Sequence, residues 1–436
     1  MIEVSNSNKG SKRQKKSRVP KRHKKPARAL NYEKILRFTT RLRPKYLDLS
    51  LLIAVLGLSA FGVAMVYSAS HYNATIYFDD SYHFFRRQLI GLILGIALIT
   101  LTYYLDYTTY RKIAYPLLGI AVGLLLLVFV PGIGIARLGA SRWIGIGGFT
   151  MQPSEIAKFT FIIFAAKVAS STSSKSKKKS TIAMLENKTT SQLSIKQLSL
   201  ILAVGVGFCG LILLQPNLSI VMTLGATMFV CLFLFGARLK HLAIMVLPVF
   251  VLVPIMLVAE PYRIARLVAF VDPWATPRAE GFQLIQSLYA LGNGGLFGRG
   301  FRNSTQAYMF LPFSESDFIF SIIGEEFGLV GAMLFLLVLG FIIYKIFAIG
   351  HRCSNRFGKY LCFGIASLIF IQSALNIAVV TGSIPPTGLP LPFISFGGTS
   401  LAVFMSAIGI VLNIDKNTKR DGPTRTSSPK GENLGH

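Results

Sequence analysis

Long apolar runs separated by short polar segments dominate the pattern of the chain. Ten runs are apparent, at about 49–68, 87–104, 113–131, 153–170, 197–214, 217–236, 241–259, 318–343, 360–380 and 393–413. Most are close to the length of about 20 residues that a helix needs to cross a bilayer. The pattern therefore predicts an all-α polytopic membrane protein with about ten transmembrane helices.

Composition supports this prediction. Of the 436 residues, 52% are hydrophobic and 15% are charged, whereas soluble proteins carry about 25% charged residues. The net charge of +28 lies mostly in tails and short loops, so we expect no nucleic-acid partner. The cysteines have no metal-like spacing, which excludes a disulfide framework and a cysteine-based zinc site. They are Cys209, Cys231, Cys353 and Cys362.

The basic residues also predict the topology. Residues 1–48 carry sixteen Lys and Arg without an apolar signal-peptide region, which indicates a disordered cytoplasmic tail. With this placement, the cytoplasmic segments hold 35 of the 46 Lys and Arg, as the positive-inside rule requires. We therefore expect a transmembrane domain over 49–413, a cytoplasmic tail over 414–436, and both termini inside.

The two faces differ in their basic residues. Nine Arg and no Lys fall on the predicted external face. They are Arg86, Arg87, Arg137, Arg142, Arg263, Arg266, Arg278, Arg299 and Arg302. The planar guanidinium binds phosphate or carboxylate through two parallel hydrogen bonds, which an ammonium cannot do. The asymmetry fits either an anionic partner or arginines that pair with external acids and anchor helix ends.

A large external loop, 260–317, is predicted between spans 7 and 8. Its glycine-rich stretch at 292–300 lacks the ending of a phosphate-binding loop, so a packed loop is favoured. Asp317 stands at the predicted first turn of the eighth span, where it could complement the helix dipole or act as a base. A helix N-terminus lowers the pKa of a carboxyl group, whereas a general base near neutral pH benefits from a raised one.

Further charged residues fall inside apolar runs. Glu155 and Lys158 are spaced i,i+3 and share a helix face, so they form either a buried pair or a polar lining of a substrate groove. Glu325 and Glu326 lie about 80° and 180° around the helix from Asp317 and cannot both serve one site with it. No metal or nucleotide motif is present, so no cofactor is evident, and a divalent cation stays open.

The chain is similar over about 49–413 to the SEDS family (shape, elongation, division and sporulation) and resembles its FtsW-like branch more than its RodA-like branch. The motifs that carry the resemblance are Met65–Ser70, Gly139–Ile144, Gln152–Lys158, Arg263–Gly300, Leu311–Glu326 and Pro386–Gly398. Two positions depart from the family pattern. Asn217 stands where Asp is usual, and Phe313–Ser316 stands where Glu-x-His-Thr is common.

The resemblance implies a peptidoglycan glycosyltransferase of the bacterial inner membrane that polymerises lipid II on the external face during cell division. Asp317 matches the essential acid of the family and would be the base. Arg142, Arg263, Arg266, Glu155 and Lys158 are the candidate substrate-binding residues. The implied partners are a class B penicillin-binding transpeptidase, other divisome membrane proteins and membrane lipids. A lipid II flippase, an elongation polymerase and a non-catalytic divisome scaffold remain as alternatives.

Overall fold

The computed structural model describes residues 47–137, 140–146, 149–171, 193–247, 261–308 and 310–420. The main helices in these ranges are α1 (Leu49–Phe78), α2 (His83–Tyr104), α3 (Tyr107–Leu127), α4 (Pro153–Ser170), α5 (Ile195–Leu213), α6 (Leu218–Leu234), α7 (Pro261–Val271), α8 (Phe282–Gly294), α9 (Ile319–Arg352), α10 (Arg356–Val380) and α11 (Gly398–Arg420). The predicted tail over 1–48 lies almost wholly outside the described residues.

Seven of these helices are long and apolar enough to cross a membrane: α1, α2, α3, α5, α9, α10 and α11. The prediction of a multi-span helical protein is therefore confirmed. The count of ten stays a prediction for three reasons. Helix α6 has only 17 residues, α4 carries three charged residues within 18, and the seventh predicted span lies mostly in 248–260, outside the described residues.

A small antiparallel sheet departs from the all-α prediction. Its strands are β1 (Gly134–Arg137), β2 (Ala140–Ile146) and β3 (Phe149–Met151), in the order β1-β2-β3. The sheet lies between α3 and α4 in the sequence. Strand β1 pairs with β2 with Gly134 opposite Ile144, and β2 pairs with β3 with Gly145 opposite Thr150. The strands are short and rich in β-branched and aromatic residues, and they form a platform directly before α4.

Several boundaries differ from the prediction. Helix α1 continues ten residues beyond 68 because no breaker interrupts it, and it ends at Asp79, whose φ of 52° is left-handed. Helix α11 runs to Arg420, so residues 414–420 are helix and not tail, and both Asp415 and Lys416 are buried. The predicted external loop 260–317 contains two helices, α7 and α8, with a 3₁₀ turn at Pro273–Ala275 between them.

Helix α9 is broken at Gly328, which has φ 67° and ψ −168°. The glycine-rich loop after α8 supplies the backbone partners that the break removes. The amides of Arg299 and Gly300 donate to the carbonyls of Glu325 and Glu326 at 3.0 and 2.9 Å. On the other side of the break, the amide of Leu329 donates to a loop carbonyl at 2.9 Å. The loop, predicted to be packed, therefore supplies hydrogen bonds to the backbone of α9 on both sides of the break.

Candidate functional site

Asp317 lies just before α9, whose first residue is Ile319 and whose N-cap is Phe318. The placement in the first helical turn was therefore wrong by two residues. The Asp317 backbone carbonyl accepts a hydrogen bond of 2.7 Å from Nδ2 of Asn376 in α10. Its side chain accepts a hydrogen bond of 2.9 Å from Oγ of Ser316. These contacts fix the main chain, and the residue as a whole is half-buried.

Burial raises the pKa of Asp317 above its ordinary value, and it outweighs the hydrogen bond from Ser316 and the charge of Arg266, which both lower it. Of the two opposing effects considered from the sequence, the one that raises the pKa is the larger here. The helix starts after the residue, and desolvation dominates. A carboxylate with a raised pKa is a better proton acceptor.

The proline-rich segment between α10 and α11 packs directly against this carboxylate. Gly388 has a φ of +72°, and a Cβ atom there would lie 3.2 Å from Oδ2 of Asp317. Asn376 also donates to the carbonyl of Leu389 at 2.6 Å, so one amide side chain ties Asp317 to the segment. A side chain at position 388 would strain the backbone and crowd the carboxylate.

Arg266 projects from α7 towards the same place. Its Nη1 donates to the carbonyl of Pro386 at 3.3 Å, and its charge lowers the pKa of Asp317. Arg263 stands one turn earlier on α7, but its side chain lies outside the described residues. Of the two candidate substrate-binding arginines on α7, the structure thus places Arg266 near Asp317.

Arg142 lies on β2 and binds the turn between α5 and α6. Its Nε donates to the carbonyl of Gln215 at 3.2 Å, and its Nη2 donates to the carbonyl of Pro216. Gln215 in turn donates to the carbonyl of Leu125 at 2.9 Å. These contacts hold the sheet, α3 and the turn together, and a substrate contact of Arg142 stays a prediction.

Glu155 and Lys158 form an ion pair at the start of α4. Nζ of Lys158 lies 2.8 Å from Oε1 of Glu155, and the two side chains are 0% and 1% exposed. Nζ also donates to Oε1 of Gln372 in α10 at 2.6 Å, and Oε2 of Glu155 accepts from Ser400 at 3.1 Å. The buried pair, one of two alternatives from the sequence, is what the structure shows.

The pair connects to the segment that borders Asp317. Gln372 donates to the carbonyl of Pro390 at 2.8 Å. Gln372 lies four residues before Asn376 on α10. Sequence reasoning missed both of these residues. The signal was a pair of amide side chains spaced i,i+4 inside an apolar run, where polar groups need partners.

Glu325 and Glu326 have partners elsewhere. Glu325 is fully buried and accepts hydrogen bonds from Oγ of Ser304 at 2.5 Å and from the amide and hydroxyl of Thr305 at 3.1 and 2.7 Å. Glu326 accepts one of 2.5 Å from Ser68 in α1. The two acids therefore bind the segment after α8 and α1, respectively, and neither is among the residues that contact Asp317.

These features define a multi-span membrane protein with a half-buried aspartate, an arginine near it and a buried polar network that contacts the same proline-rich segment. Residues 49–420 match the model of the FtsW, RodA and SpoVE family, described as "Cell cycle protein". The chain belongs to this family.

Two curated relatives are similar along most of the chain. "Stage V sporulation protein E" of Bacillus subtilis (strain 168) is 38% identical over 377 residues, which cover 85% of this chain and 98% of the relative. "Probable peptidoglycan glycosyltransferase FtsW" of Geobacter metallireducens is 38% identical over 372 residues, which cover 85% and 95%. Equal identity to both relatives supports the family and does not separate a division from a sporulation branch.

Solved structures share the fold. One, described as "Structural coordination of polymerization and crosslinking by a peptidoglycan synthase complex", has a TM-score of 0.68 and 28% identity, covering 86% of this chain and 99% of that chain. The rod shape determining protein RodA of Thermus thermophilus has a TM-score of 0.60 and 25% identity, covering 86% and 98%.

Proposed function

We propose that this chain is a peptidoglycan glycosyltransferase that polymerises lipid II into glycan strands on the external face of the bacterial inner membrane. The observation that carries the proposal is the half-buried Asp317, whose pKa is raised by burial and is lowered in part by the nearby charge of Arg266. Family membership and the name of the Geobacter relative support the same reaction.

In the proposed reaction Asp317 accepts the proton of the acceptor GlcNAc 4-hydroxyl. The hydroxyl oxygen forms a bond to the anomeric carbon of the lipid-linked donor MurNAc. The bond from that carbon to the phosphate oxygen breaks, and undecaprenyl pyrophosphate leaves with the bonding electrons. Attack opposite the leaving group inverts the anomeric centre. The proton lost by the acceptor stays on Asp317 and the bonding electrons stay on the pyrophosphate, so atoms and charge balance.

The developing negative charge on the pyrophosphate needs a cation. Arg266 is the best-placed candidate because it reaches the Asp317 region from α7 while its guanidinium offers several donors. Arg263, one turn earlier on α7, is the proposed second cation for the pyrophosphate. Arg142 is a weaker candidate because its guanidinium donates to the 215–216 turn, whereas that of Arg266 donates to the segment that packs against Asp317.

Glu155 and Lys158 have a positioning role in this proposal. Their side chains are buried, so direct contact with a large lipid-linked sugar is disfavoured. Through Gln372 they support the proline-rich segment that packs against the Asp317 carboxylate. In this proposal the substrate binds next to the proline-rich segment, and the Glu155–Lys158 pair holds that segment in place.

Strand synthesis by the purified chain tests the proposal. The chain and its transpeptidase partner are reconstituted in vesicles with lipid II, and the glycan products are separated by length on gels. Asp317→Asn should abolish synthesis without changing the thermal stability. Asp79→Asn is a matched control, since Asp79 is an exposed acid at the end of α1. Equal synthesis by the two variants would contradict the assignment of Asp317.

A flippase would need a polar path through the membrane, and the contacts weigh against one. Glu155, Lys158 and Glu325 all have partners within the protein. Movement of fluorescent lipid II across the same vesicles measures this activity. Rapid movement that Asp317→Asn leaves intact, combined with no strand synthesis by the unmodified chain, would favour the transporter.

We further propose a role in cell division with a class B penicillin-binding transpeptidase as partner, and cytoplasmic termini. The basic N-terminal tail and the Met65–Ser70 and Phe85–Gln88 motifs support the division role. Depletion of the protein in its own host should give filaments, whereas loss of an elongation polymerase gives rounded cells. Reporter fusions at both ends should be active only in the cytoplasm.

A further inference from the structure

Helix α7 exposes an aliphatic stripe. Ile264, Leu267, Val268 and Val271 are between 36% and 77% exposed. Their spacing of i, i+3, i+4 and i+7 places them on one face of the helix. Four neighbouring aliphatic side chains are therefore left uncovered on an 11-residue helix.

The opposite face of α7 contacts the protein. Arg266 stands about 200° around the helix from Ile264, and it donates to Pro386. Ala269, one turn later, is only 3% exposed. The helix thus has a protein-facing side that carries Arg266 and an apolar side without a partner among the described residues.

The length and surroundings of α7 indicate what covers the stripe. The eleven described residues of α7 span about 16 Å at 1.5 Å per residue, about half of the 30 Å needed to cross a bilayer. A stable protein interface buries at least about 1,200 Å² in total, far more than one short stripe can offer. A lipid surface needs no such area, and α7 contains no acidic residue.

Trp274 extends the stripe beyond the helix. It lies in the 3₁₀ turn after α7, is 54% exposed, and its ring contacts that of Tyr289 with centroids 5.6 Å apart. Tryptophan and tyrosine are enriched where a bilayer meets water. An amphipathic helix followed by an exposed tryptophan is the pattern of a segment that lies in the membrane interface.

We propose that α7 and Trp274 seat in the interfacial region of the lipid leaflet nearest Asp317, with the aliphatic stripe in the acyl chains and Arg266 turned towards the protein. The bilayer is then a structural partner that fixes the position of α7. This seating does not depend on the reaction at Asp317.

Tryptophan fluorescence tests the seating directly. The chain has two tryptophans, so Trp143→Phe leaves Trp274 as the single emitter. The variant is placed in phosphatidylcholine vesicles with bromine at acyl carbons near the headgroup or near the chain ends. Shallow bromine should about halve the Trp274 emission and quench more than deep bromine, while aqueous acrylamide quenches weakly. Strong acrylamide quenching without bromine quenching would overturn the proposal.

Spin labels give an independent measurement. Single cysteines are introduced as Ile264→Cys, Val268→Cys and, as a control on the neighbouring exposed turn, Ala279→Cys, with the native cysteines changed to alanine. Labels at 264 and 268 should collide with oxygen and be shielded from a water-soluble nickel chelate, and the control should show the reverse. Nickel access equal to the control, or shielding from both reagents by a protein cover, would overturn the proposal.

Discussion

Replacing Lys158 with methionine leaves the Glu155 carboxylate buried without the ammonium that lies 2.8 Å away. Gln372 also loses a donor at 2.6 Å. Both charged side chains are at most 1% exposed, so water cannot replace the lost partner. Breaking a buried pair in this way costs about 3–5 kcal/mol of folding stability.

Removing both charges should cost less than the two single changes together. In Glu155→Gln/Lys158→Met the uncompensated carboxylate is gone, and an apolar chain fills much of the lysine volume. Replacing a whole buried ion pair by uncharged groups is often close to neutral. We expect a coupling energy of about 0.5–3 kcal/mol between the two positions.

Unfolding of the two single variants and the double variant in the same detergent gives the coupling energy. Lys167→Met is a matched control, because Lys167 lies on the same helix, is only half-buried, and stacks on the Tyr115 ring at 3.8 Å. Lys167→Met should lose little folding stability. Additive losses at 155 and 158, or a Lys158→Met effect no larger than that of Lys167→Met, would refute the paired arrangement.

The remaining predictions concern charged side chains. Asp317→Asn should lower the rate of strand synthesis by about 10²–10⁴-fold. In the unmodified chain, synthesis should fall as the pH decreases through a raised Asp317 pKa; an acid limb at the ordinary aspartate value would contradict this. Arg266→Lys should weaken lipid II use by about 1–3 kcal/mol in titrations where Arg86→Lys has little effect, and Arg266→Gln should move the acid limb to higher pH. Burial raises the pKa of Asp48, but hydrogen bonds, the strongest from Lys345, lower it to about 2. Lys345→Met should therefore reduce stability above about pH 4 but not near pH 2, as unfolding at both values would show.

Much of the helical architecture could be predicted from the sequence because each span is a local apolar run. The elements that were missed are short or amphipathic. Helix α7 has only one apolar face, and the strands of the small sheet contain three to seven residues. Their formation depends on contacts with neighbouring elements, which a local pattern does not contain.

The candidate site was predictable where a charge interrupts an apolar run, as at Asp317 and at Glu155 with Lys158. The amides that connect these residues were not, because their partners are distant in sequence. Lys158 and Gln372 are separated by 214 positions, and Asn376 lies 59 positions after Asp317. The net pKa direction of Asp317 could not be predicted either, since burial arises from tertiary packing and cannot be read from the position of a helix end.

The break in α9 has a consequence for how this helix fits a bilayer. Its 34 residues would form a rod of about 51 Å at 1.5 Å per residue, well beyond a hydrocarbon core of about 30 Å. An unbroken rod would have to tilt steeply or thicken the membrane around it. Because Gly328 divides the helix, the segment before it can follow the loop after α8 while the remainder crosses the bilayer at its own angle. The membrane thickness that the protein tolerates is then set by the part of α9 after Gly328. The part before Gly328, which follows Asp317 directly, does not have to adjust to a thinner or thicker bilayer.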